Sequence, residues 1–132
     1  MLTTADAPFV RNLLTRYGWR LGVGRFVAGK DLESALPALR KLEDSGRLII
    51  LDVLGEFVTS EEEARATASR IKEAVKGAAA AGTSTYFSVK PTQLGLGVSS
   101  ELAFELADDL ATTLDEVGGD LCLDIENLPY ID

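Results

Sequence analysis

Three short apolar runs in this chain end in ionisable side chains, and those endings are the places where chemistry could occur. The first run, LDVLGE, presents Asp52 and Glu56; the second, SVKP, presents Ser88 and Lys90; the third, DIEN, presents Asp124, Glu126 and Asn127. A single Asp, Glu or Lys just past a strand is commonly a solvated loop residue. The joint pattern says more, because a lysine and several carboxylates set into apolar runs are costly to bury unless they meet one another or a ligand. A lysine so placed could also attack a carbonyl as a Schiff-base nucleophile, with Asp124 as its proton-transfer partner.

The elements that must position these groups follow from hydrophobic patterning. Residues 48–54, 85–89 and 121–125 are near-continuous apolar, β-branched runs, as expected of parallel strands covered on both faces. Between them lie two segments with helical spacing. One opens on a capping box at Ser60 and Glu63, carries apolar or small residues at Ala64, Ala68, Ile71, Val75 and Ala79, and ends at Gly82. The other begins at Ser99 or Ser100, aligns Ala103, Leu106, Leu110, Leu114 and Val117, and stops at Gly118 and Gly119. A further stripe, Leu32, Ala35, Leu36, Leu39 and Leu42, follows a cap at Asp31; Pro37 within it predicts a kink or a start near Ser34. Upstream, Phe9, Val10, Leu13, Leu14 and Tyr17 suggest one more amphipathic helix. Glu56, Lys90 and Asp124 recur at intervals of 34 residues, the length of one strand, one helix and their loops. The pattern is that of an α/β protein built from βαβ units.

Composition removes several function classes. A formal net charge of −8, with no basic block, argues against nucleic acid or anionic lipid as a partner. With one cysteine, Cys122, and no histidine, an intrachain disulfide cannot form and a transition-metal site is not expected. Cys122, inside an apolar strand, reads as a small buried hydrophobe. Tyr86 and Phe87 read as sheet packing. LGLG, residues 94–97, lacks the spacing of a phosphate loop and reads as a plain turn; GxxxxGK from Gly24 is followed by Asp31, where a P-loop needs Ser or Thr. No apolar run approaches the length of a membrane span and no secretion signal opens the chain, so a cytoplasmic location is expected.

RFVAG at residues 25–29, LESALPALRKL, LDVLGE, SVKPTQLGL at residues 88–96 and DIENLPY at residues 124–130 occur in order and at the spacing that resembles the proline dehydrogenase family. The resemblance implies a (β/α)8 barrel holding FAD, which removes a hydride from C5 of L-proline to give Δ1-pyrroline-5-carboxylate and passes electrons to a quinone. Carried over position by position, Lys90 resembles the lysine that neutralises the proline carboxylate. Glu56 resembles a glutamate that pairs with a substrate-binding arginine, and Asp52 and Asp124, with Glu126, resemble acidic members of the same polar shell. DIEN stands where the family more usually has DMED, so Asn127 departs from the pattern.

The expectation for residues 1–132 is therefore a single incomplete (β/α) barrel domain of about three parallel strands with connecting helices, ending after its third strand and inactive alone. The resemblance implies that most flavin contacts and the paired arginines fall in five further strands. Four carboxylates around one lysine point the same way, since like charges held close need positive partners from elsewhere. Unpaired sheet edges invite self-association, and a quinone acceptor implies peripheral contact with a membrane. Two other readings stand beside this one: a non-catalytic half-barrel completed by a partner chain, and the Schiff-base lyase using Lys90.

Overall fold

The computed structural model describes residues 27–55 and 58–125. Glu56, Glu126 and Asn127 lie outside the described residues, as does the amphipathic stretch proposed for Phe9 to Tyr17. The chain falls into two compact units, Met1–Leu39 and Arg40–Asp132.

Helix α1, Leu32–Asp44, starts from a closed cap. Asp31 Oδ1 accepts the Ser34 N–H at 2.8 Å, and Ser34 Oγ accepts the Asp31 N–H at 3.3 Å. This cap fixes the start at Leu32, so the late start near Ser34 is not found and Pro37 sits inside the helix. Ala35 and Leu39 are its buried positions.

The second unit holds β1 (Leu51–Asp52), α2 (Glu61–Ala81), β2 (Tyr86–Val89), a 3-10 turn (Pro91–Leu94), α3 (Ser100–Asp115) and β3 (Asp120–Leu123). The strands form one sheet in the order β1-β2-β3, both pairs parallel. The α/β class, with three parallel strands linked by helices, is as the patterning predicts. Ser60 caps α2 by accepting the Glu63 N–H at 3.2 Å, and Gly82 ends it in the left-handed conformation at φ 65°. The returning bond of the expected capping box lands one residue early: the Glu63 carboxylate takes the Thr59 N–H and hydroxyl, at 2.8 and 2.9 Å. Ser99 caps α3. Ile71 and Val75 of α2, Leu110 and Leu114 of α3, and Phe87 and Val89 of β2 are at most 1% exposed. Each such burial contributes about 1.5–3 kcal/mol.

Two sequence expectations change. β1 is far shorter than residues 48–54, and Leu48, Ile50 and Leu54 are exposed. Side chains take over the pairing on both flanks of the strand: Ser84 Oγ donates to Ile49 O at 2.7 Å, and Gln93 Nε2 donates to Val53 O at 2.8 Å. The 34-residue interval, moreover, is a true sheet register only between β2 and β3, where Tyr86 faces Asp120; Leu51 faces Phe87, an offset of 36. Lys90 is thus level with Asp124 but two residues beyond Asp52.

Parity divides the sheet. Leu51, Phe87, Val89 and Leu121 belong to one face; Asp52, Ser88 and Cys122 share the other, with Ile50, Tyr86, Lys90 and Asp124 continuing it by alternation. Among the described residues this second face is largely uncovered, with Ile50 at 53% and Tyr86 at 38% exposure, so burial on both sides is not found. Cys122 is half-buried.

Candidate functional site

Strand β2 delivers Lys90 because Pro91, which has no N–H to offer a neighbouring strand, ends the extended run directly after it. Lys90 is buried, and its Nζ lies 3.5 Å from Asp52 Oδ2, with the two side chains 11% and 36% exposed. The strand ends therefore bring together a sheltered cation and a partly wet carboxylate. Asp124 follows on β3, where its N–H donates to Val89 O at 2.9 Å and extends the ladder; the residue itself is exposed. Of the five residues singled out in the sequence, Lys90 and Asp52 meet, Asp124 stands level with Lys90 on the same face, and Glu56 and Glu126 lie outside the described residues.

Gln93 is the residue that sequence reasoning missed. It is 1% exposed, and each end of its side chain is engaged: Oε1 accepts the Lys90 N–H at 2.9 Å and Nε2 donates to Val53 O. Its own N–H donates to Lys90 O at 2.9 Å. A carboxamide at the third position after Lys90, with proline at the first, is a helix-start spacing that could have drawn notice to it.

The turn after Lys90 depends on Gly95, which has φ 87°; a Cβ there would lie 3.0 Å from both Ala64 Cβ and Leu102 Cδ2. This close approach lets the turn sit against both α2 and α3. Four of the loop's N–H groups are used internally, Gly95 to Thr92 O, Leu96 to Pro91 O, and Val98 and Ser99 to Gly95 O. LGLG is the turn that its spacing implies. A separate cleft of about 520 Å3 is lined by Gly55, Val58, Glu63, Thr67, Arg70 and Gln93, without Lys90 or Asp52. There the two hydrogen bonds from Thr59 hold the Glu63 carboxyl below its ordinary range.

No family model matches the chain. It is 35% identical over 135 residues to the proline dehydrogenase of Deinococcus radiodurans, covering 100% of this chain and 43% of that protein. It is 42% identical over 87 residues to proline dehydrogenase 1 of Bacillus subtilis strain 168, covering 66% of this chain and 29% of the relative. With proline dehydrogenase 2 of the same strain it shares 28% identity over 126 residues, 96% of this chain and 42% of the relative. The chain thus spans less than half the length of the curated relatives it matches.

Proposed function

The chain is a sequence relative of the proline dehydrogenase family, and from that premise we propose that it forms part of an enzyme oxidising L-proline to Δ1-pyrroline-5-carboxylate, with its strand ends contributing to the substrate site. The observation that carries this reading is the sheltered Lys90 at a strand tip beside Asp52. An ammonium group held this way gives a carboxylate a fixed partner, and orientation is a large part of what a hydride transfer requires of a protein. In this reading Lys90 binds the substrate carboxylate, and Asp52, Asp124, Glu56 and Glu126 form the polar shell that keeps the lysine charged and aimed.

FAD would supply the hydride acceptor and a quinone would take the electrons, with the enzyme cytoplasmic and touching the membrane at its surface. The described residues fit the carboxylate end of such a site. They do not fit the pyrophosphate of FAD, because the Gly95, Leu96, Val98 and Ser99 N–H groups of the glycine-rich turn are engaged within it; the flavin contacts fall to other parts of the working enzyme. No helix among the described residues is long and apolar enough to cross a membrane. A Schiff-base role for Lys90 is less well supported, since that chemistry needs a neutral amine and the geometry supplies an ion-pair partner.

The test is to express the full-length gene product carrying this chain and to measure bound flavin by absorbance and proline-dependent dye reduction. Lys90→Met should raise KM for L-proline by about 100-fold or more, the loss expected when a buried charge partner of a ligand is removed. Absence of proline-dependent reduction in the unaltered protein would sink the proposal. The 132-residue chain alone should bind no flavin and reduce no dye; turnover by it would overturn the division of labour proposed here.

A further inference from the structure

We propose that Gln93 is a positioning residue that sets the stance of Lys90, by inserting its carboxamide as an extra rung between β1 and β2. Sheet geometry carries the structural half of this inference. Thr85 O and Val89 O accept the Asp120 and Asp124 N–H groups, at 3.2 and 2.9 Å, so the odd residues of β2 face β3. In a parallel ladder the alternate residues, Tyr86, Ser88 and Lys90, then face β1. With Asp52 beside Ser88, the next rung would join the Lys90 N–H to Val53 O.

That rung is not made directly. The Lys90 N–H donates to Gln93 Oε1 at 2.9 Å, and Gln93 Nε2 donates onward to Val53 O at 2.8 Å. The side-chain amide has the donor and acceptor of a peptide unit, so it satisfies both strands at the level of Lys90, one rung beyond the Asp52–Ser88 pair. Because Gln93 N–H also donates to Lys90 O, both backbone groups of the lysine are held by one buried residue. The carboxamide is specific for this task. A glutamate would turn an acceptor toward Val53 O, asparagine would be one methylene short, and alanine would leave the buried Lys90 N–H and the part-buried Val53 O unjoined.

The functional half rests on the proposed reading of Lys90 as the carboxylate-binding group. It is tested in the full-length product with Gln93→Ala and Gln93→Glu. We expect Gln93→Ala to raise KM for L-proline about tenfold with a smaller change in kcat, as for a misplaced binding group. Gln93→Glu should behave alike at neutral pH and recover toward the unaltered KM as acid restores a proton that can donate to Val53 O. Folding is checked by circular dichroism, and recovery within one sample separates positioning from collapse. In parallel, NMR of the 132-residue chain should show faster exchange of the Lys90 amide and a shifted Lys90 Nζ resonance in Gln93→Ala. If amide exchange and the Nζ resonance stay as in the unaltered chain, the wedge is refuted whether or not the protein oxidises proline. If they move while KM stays within twofold, Gln93 only supports the fold and its role toward the substrate is refuted.

Discussion

Lys90 and Asp52 are unequal partners, and the inequality predicts unequal consequences. Removing the carboxylate by Asp52→Ala takes compensation from a buried ammonium, yet Asp52 itself is partly wet and water can replace some of it. We expect a loss of about 1 kcal/mol by urea denaturation, below the figure for fully buried pairs. A second prediction concerns acid. Hydrogen bonds from Thr59 lower the Glu63 pKa, and Arg65 lowers that of Glu105, each from an ordinary 4.5. A folded value below the unfolded one means that the contribution is complete above pH 4.5 and is lost as pH falls through the folded value. Thermal melts should therefore show stability from these groups falling away only below that point, and Glu63→Gln should flatten part of the fall. The ionisable strand tips were legible because they interrupt apolar runs. Gln93 was not, since Val53, its partner, is 40 residues away and a glutamine beside glycines looks like turn material.

Helix starts, which depend on near neighbours, were read almost to the residue, whereas α3 ends at Asp115 and not at Gly118 and Gly119 as its stripe implied. Ser60, Gly82 and Ser99 cap their helices because the groups they satisfy lie within a few positions along the chain. β1 was overestimated for the opposite reason: its apolar run suits a strand, but its pairing is set by Ser84 and Gln93, residues that belong to other elements. The offset of 36 between β1 and β2 was likewise hidden, as loop lengths do not reveal register. At this scale Gly95→Ala is the informative substitution. The left-handed backbone alone costs a non-glycine residue about 1–2 kcal/mol, and the new methyl would press on Ala64 and Leu102 at 3.0 Å. The expected result is a lower melting temperature together with loosened protection of the Lys90 amide, measured by hydrogen exchange.

For the molecule as a whole, stability should reside between α2, α3 and the covered face of the sheet. Leu110, fully buried in α3, is a suitable probe: Leu110→Ala should cost about 2–5 kcal/mol in chemical denaturation. The outer surface of the same helices is joined by Arg65 to Glu105 at 2.8 Å and Lys72 to Asp109 at 2.5 Å, exposed pairs that salt should weaken. The opposite face of the sheet, with Ile50 and Tyr86 exposed, should make the chain concentration-dependent in sedimentation; a strictly monomeric profile at high concentration would count against a sticky face.

The stagger of β1 against β2 also sets a size limit at a neighbouring position. Asp52 lies abreast of Ser88, about 6.6 Å down the strand from Lys90 at the usual rise per residue, so the lysine stem must lean back toward the serine to reach its carboxylate. A hydroxymethyl group leaves headroom for four methylenes to pass. Ser88→Leu would fill that passage, and NMR of the Lys90 ammonium should then find it turned from Asp52 although neither charged residue had been altered.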